Sequence, residues 1–174
     1  MESHAKAAGH ALHPILIVFP LGLLSASVLF DVAYLFTDAR EFSIVSFWTI
    51  VGGLLGGLIA AVPGWIDWFV IPTGTRAKRV GLVHGAGNVV VLILFAISWL
   101  LRRDEPSYVP STMALVLSFA GFGLAALTGW LGSELVERLG VGVDDHANLN
   151  APNSLSKRPA SDTQQVVGSV TKWQ

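Results

Sequence analysis

Four long apolar stretches separated by short polar ones set the plan of this chain. They run from about Pro14 to Phe36, Ser43 to Val70, Val80 to Leu101 and Thr112 to Leu135. Each is long enough to cross a hydrocarbon core, which takes about 20 helical residues. The turn from Thr37 to Phe42 is so short that the second span must return antiparallel beside the first. Pro14 suits a first helical position, and a residue before proline is pushed out of the α region, so His13 is expected at the cap. Pro20 is expected to kink the first span, and Pro63 to interrupt the second just before Gly64. The charged run from Arg102 to Glu105, followed by Pro106, stops the third.

Small residues then suggest how the spans pack. Gly52, Gly56, Ala60 and Gly64 fall four apart on the second span, and Gly121, Ala125 and Gly129 repeat the spacing on the fourth. In lipid, helices associate where small side chains let backbones approach, so these stripes predict close contact between the second and fourth spans. Aligning Gly64-Trp65 with Gly129-Trp130 makes the chain a doubled hairpin. Repeats with an even number of spans are parallel, related by an axis along the membrane normal. The expected fold is an all-α membrane protein: a four-helix bundle over residues 1–139, formed by two parallel-repeated hairpins, with a polar extended tail over residues 140–174. This topology gathers His13, His84, Asp67 and Glu134 at one membrane face, flanked by Trp65, Trp68 and Trp130, and leaves Tyr34, Trp48, Trp99 and Tyr108 at the other.

Composition agrees. The chain is 52% apolar and 13% charged with a mean hydropathy of +0.60, which places it among integral membrane proteins. Without cysteine it can form neither disulfides nor thiolate metal sites, and a net charge of −1 gives no reason to expect nucleic acid. Ser25-Ala26-Ser27 resembles a signal-peptide cleavage site, but the apolar run continues through it, so an uncleaved span fits better. Lys6, Arg76, Lys78, Arg79 and Arg138 lie near the terminal side against Arg40, Arg102 and Arg103 opposite, which favours termini in the cytoplasm. The tail, rich in Asn, Ser, Asp and Pro, cannot bury enough apolar surface to fold alone.

The candidate chemistry is sparse. His13 and His84 can be read as axial ligands of haem b held between helices, with Gly81, Gly85 and Gly87 leaving room for the macrocycle and Asn88 donating a hydrogen bond. The alternative is that these glycines serve packing, that His84 bonds a carboxylate such as Asp67, and that His13 is a cap. Asp67 and Glu134 lie at helix ends within reach of Arg76, Lys78, Arg79 or Arg138, and Asp31 within reach of Arg102 or Arg103, so pairing is the default for all three. The sequence contains no Ser/His/Asp set, phosphate loop or metalloprotease helix, and enzyme chemistry has no visible seat.

His13-Pro14 opening the first span, Pro63-Gly64-Trp65-Ile66-Asp67 ending the second and His84-Gly85 in the third resemble a widespread bacterial family of four-helix membrane proteins of unknown function. The resemblance covers about Gly9 to Glu134. Some relatives are fused to Rieske-type iron–sulfur modules, which implies a redox setting; this chain carries no such module. The reading that follows is a non-catalytic accessory subunit of an energy-converting complex in the bacterial inner membrane, contacting lipid and, through the tail, other subunits. A haem-carrying electron-transfer protein is the alternative, and a small transporter fits worst because the spans lack interior charge.

Overall fold

The computed structural model describes residues 1–156 and 158–162. Four helical rods of membrane-crossing length and composition dominate it. The first is broken at Ile17 into α1 (Leu12–Leu16) and α2 (Val18–Thr37). The break lies three residues before Pro20, which has no N–H to offer the Leu16 carbonyl, four residues back, and whose ring crowds it. The second rod, α3 (Arg40–Val70), contains Pro63 yet runs through it, so the expected interruption before Gly64 does not occur. The third, α4 (Arg76–Leu100), starts where the Thr75 hydroxyl accepts from the Lys78 N–H. The fourth, α5 (Thr112–Ser133), starts where the Ser111 hydroxyl accepts from the Ala114 N–H. Such caps satisfy N–H groups that a helix start otherwise leaves open. A π turn, Glu134–Arg138, follows α5.

Each rod packs most extensively on its sequence neighbour. α2 lies along α3 and α4 along α5, and the two hairpins join where α3 meets α4 and where α2 meets α5. Among the described residues, α3 and α5 do not pack along each other, which corrects the expectation drawn from the glycine stripes. The stripes serve their own hairpins instead. A Cβ built on Gly52 would lie 3.0 Å from Leu23, on Gly56 2.8 Å from Phe19, and on Gly64 2.9 Å from the His13 ring, all on the first rod. Ala60 is buried. On α5, a Cβ at Gly121 would lie 2.9 Å from Phe95 of α4, whereas one at Gly129 would meet nothing within 4 Å. Ala125 packs on the apolar core.

The two hairpins are versions of one another, in a register set by contacts rather than by the Gly-Trp dipeptides. A shift of 71 residues carries His13 to His84, Leu24 to Phe95, Ser27 to Ser98 and Asp31 to Arg102. A shift of 68 carries Gly53 to Gly121, Ala60 to Thr128 and Gly64 to Gly132. The contacts follow these shifts: Gly53 faces Leu24 as Gly121 faces Phe95, and Gly64 faces His13 as Gly132 faces His84. Gly64 therefore corresponds to Gly132, not to Gly129. The dipeptide match misplaces the repeat by three residues, just under one helical turn.

Down the middle, Leu24, Val28, Ile50, Val91 and Phe95 form the core. At the end away from the termini, Tyr108 stacks on Phe47 with ring centroids 3.9 Å apart, and the Ser43 hydroxyl donates to the Ser107 carbonyl at 2.8 Å. Ser107 and Tyr108 both hold a φ of 57°, a left-handed conformation that costs a non-glycine residue about 1–2 kcal/mol. The stacking of Tyr108 and the bond to Ser107 fix that loop onto the first hairpin.

At the terminal end the lead folds into a two-residue hairpin, β1 (Lys6–Ala7) against β2 (His10–Ala11). The tail returns over it: the Gly142 N–H donates to the Met1 carbonyl at 2.9 Å, and Ser154 bonds His10 at 3.1 Å. The described part of the tail thus covers its own chain's lead, where contact with other subunits was expected. Residue 157 and residues 163–174 of that tail lie outside the described residues.

Candidate functional site

Two polar layers interrupt the apolar axis, one near each end. At the terminal end, His13 in α1 and His84 in α4 meet with ring centroids 6.2 Å apart and planes at 88°. Each is fixed by the partner helix of its own hairpin. His13 Nδ1 lies 2.8 Å from the Ala60 carbonyl, and His84 Nδ1 2.8 Å from the Thr128 carbonyl. A carbonyl only accepts, so both Nδ1 atoms carry a proton, and the Asn88 amide beside His84 Nε2 requires a lone pair on that nitrogen. On His84 that lone pair is engaged, because Asn88 Nδ2 lies 3.2 Å from Nε2. Asn88 is held in turn by the Thr128 hydroxyl, which donates to its Oδ1 at 2.9 Å.

The glycines tell whether a flat macrocycle fits beside these rings. A Cβ at Gly81 would lie 2.8 Å from Trp68, one at Gly85 3.6 Å from Trp65, and one at Gly87 2.6 Å from Thr128. The space that glycine frees is filled by tryptophan and threonine side chains. The surroundings of His84 therefore do not fit a porphyrin in this arrangement, and the glycines serve close packing.

The two acids at this face have separate partners. Asp67 is buried and accepts three hydrogen bonds from the lead: Ser3 Oγ at 2.7 Å, the His4 N–H at 2.7 Å and the Ala5 N–H at 3.1 Å. Among the described residues no cation is paired with Asp67, and His84 does not take it, its Nδ1 being engaged on Thr128. Glu134 accepts from Arg76 at 2.7 Å in a half-exposed pair. Lys78 instead donates to the Trp68 and Phe69 carbonyls at the end of α3 and stands 4.0 Å over the Trp68 ring.

The other layer is the more demanding. Arg102, at the end of the third rod, and Asp31 of α2 are both fully buried. The guanidinium grips the carboxylate in a fork, Nη1 to Oδ1 at 2.6 Å and Nη2 to Oδ2 at 2.7 Å. Its other N–H groups donate to Ser46 at 3.0 Å, Ser98 at 3.1–3.3 Å and Ser118 at 3.0 Å, and Ser46 donates to Asp31 at 2.6 Å. Burying two charges is tolerable only with this geometry and with the remaining donors satisfied. Sequence reasoning named Arg102 and Arg103 equally; the structure selects Arg102 and leaves Arg103 on exposed Asp104. It missed the serines. Their signal was faint: Ser46 and Ser118 within otherwise apolar stretches of α3 and α5, and Ser98 one turn before Arg102.

Among the described residues, no three His, Asp or Glu side chains converge as metal ligands would. No curated protein and no solved structure matches the chain. Residues 9–145 match the family described as predicted membrane protein, DUF2231, with His13, His84, Asp67, Asp31 and Arg102 all inside the matched region. The match spans most of the chain and agrees with the four membrane-crossing rods, so this protein belongs to the DUF2231 family of predicted membrane proteins.

Proposed function

We propose that this protein is a non-catalytic accessory subunit of a larger membrane assembly, acting through its outer surface rather than through an interior site. One observation supports the reading: the ionisable side chains turned into the bundle have partners within the chain. Asp31 and Arg102 take each other, Asp67 is consumed by the lead, and both imidazoles are fixed on backbone carbonyls. Groups so engaged are poorly placed to bind a substrate or relay protons, since each would first have to abandon a buried partner. An energy-converting assembly in the bacterial inner membrane is the setting favoured by the resemblance to relatives fused to Rieske-type modules, and the basic residues Arg76, Lys78 and Arg79 favour cytoplasmic termini.

Extraction of native membranes in a mild detergent, followed by native electrophoresis and cross-linking, tests this reading. The protein should migrate with a larger assembly and cross-link to other subunits through its outer helix faces or its tail. Recovery as a lone monomer at native abundance would overturn it. The electron-transfer alternative draws support from the meeting of His13 and His84 and loses it at Gly81, Gly85 and Gly87. The absorption spectrum of the purified protein decides between them, and the accessory reading expects no haem band.

A further inference from the structure

Asp31 and Arg102 occupy the same place in the two hairpins. The shift of 71 residues that carries His13 to His84 also carries Asp31 to Arg102, so the pair sits on the pseudo-twofold axis. The hairpins are built alike behind that seam: Leu24 and Phe95, both in the core where they meet, rest on a glycine of their own hairpin, Gly53 and Gly121. Shape alone therefore permits a first hairpin to close on the first hairpin of a second copy. Charge does not. Homotypic closure would set Asp31 against Asp31, or Arg102 against Arg102, buried where each is now fully enclosed.

We infer that the Asp31–Arg102 pair is a recognition device for the seam between hairpins, which admits the unlike hairpin as partner and excludes a like hairpin from a second copy of the chain. The physical basis is the asymmetry between matched and mismatched buried charges. A matched, fully bonded pair adds little net stability over an apolar one, but a buried charge without its partner is strongly destabilising. The pair therefore acts by penalising wrong partners more than by strengthening the right one. The need arises during insertion, because α2 and α3 are made before α4 and α5. Until the second hairpin arrives, the open seam of the first can meet another first hairpin, and Asp31 is what makes that meeting unfavourable.

The test uses the full chain, whose lack of cysteine allows a single Ser27→Cys to report contact between first hairpins of two copies by oxidation. Four variant backgrounds carry it beside the native pair. Asp31→Arg alone and Arg102→Asp alone should lose the folded bundle, while the exchanged double variant Asp31→Arg/Arg102→Asp should recover it in part: opposite charges face each other again, but the serine shell is not repeated, since the shift of 68 carries Ser46 to Ala114 and Ile50 to Ser118. Co-expressing the two single variants with different tags should yield a 1:1 complex in which each hairpin finds its opposite charge in the other chain. The apolar double variant Asp31→Leu/Arg102→Met should fold, yet show roughly tenfold or more Ser27→Cys cross-linked dimer than the native pair, the ratio expected for about 1.4 kcal/mol of lost discrimination. The inference is overturned if the exchanged double variant is no more stable than either single variant, or if the apolar variant cross-links no more than the native pair.

Discussion

His13 and His84 stand 6.2 Å apart at right angles, and each turns its Nδ1 proton to a carbonyl of the helix beside it, four residues before the glycine on which its ring rests. Ala60 precedes Gly64 as Thr128 precedes Gly132. A proton donor, a carbonyl and a glycine thus recur in each hairpin. The glycine is required because the ring lies where a Cβ would be; the carbonyl is required because a buried N–H without an acceptor is costly.

Glycine substitutions should separate the residues that hold the hairpins from those that merely follow the spacing. A Cβ at Gly53 would lie 2.5 Å from Leu24 Cδ2 and 3.3 Å from the Leu24 backbone nitrogen, so Gly53→Ala should destabilise the bundle by about 1–3 kcal/mol. Gly129→Ala meets open space and should leave the thermal midpoint in detergent unchanged or raise it, since alanine favours a helix by about 1 kcal/mol. Equal effects of the two would count against the register of 68.

Replacing Asp67 should free the lead. In Asp67→Asn the side chain loses its charge and presents an NH2 group where Ser3, His4 and Ala5 now donate. A loss of about 1–3 kcal/mol is expected, confined to the terminal end. Hydrogen exchange at the His4 and Ala5 amides measures it, and protection there should fall while the core amides around Ile50 and Phe95 keep theirs.

Glu134→Gln should do little. Its partner Arg76 is about half exposed, with 54% of its side chain accessible, and ion pairs in contact with water contribute about 0–1 kcal/mol. A midpoint shift as large as that of Asp67→Asn would mean that Glu134 has a role beyond this pair.

The end of α3 depends on a lysine. Lys78 Nζ donates to the Trp68 carbonyl at 2.7 Å and to the Phe69 carbonyl at 3.2 Å, satisfying acceptors that a helix end leaves open. Lys78→Met keeps most of the apolar stem and removes the donor, and should cost about 1–2 kcal/mol. Fluorescence of Trp68, which loses the overlying ammonium, should shift in the same variant.

The spans were legible without coordinates because lipid imposes a length and a polarity that few alternatives satisfy; the termini of α3, α4 and α5 depart from the sequence reading by only a few residues. The break at Ile17 was legible as well, since Pro20 acts locally. The doubling of the hairpin could be seen in the Gly-Trp dipeptides, but its register could not. Gly129 and Gly132 lie within one turn of each other, and only the ring of His84 resting on Gly132 distinguishes them.

What the amino-acid order determined alone was therefore what local chemistry and the bilayer set: four spans, short returns, and His13 and His84 on the same side. The tertiary structure decided which surfaces meet. Glycine spacing marks a face as smooth without naming its partner, and the partner of α3 proved to be the first rod rather than α5. Asp31 could have taken either of two adjacent arginines, and only the fold, by burying Arg102 among Ser46, Ser98 and Ser118, made one choice satisfiable. Pairing of buried polar groups is a property of three-dimensional enclosure, which is why the sequence supplied the charges and the fold assigned them.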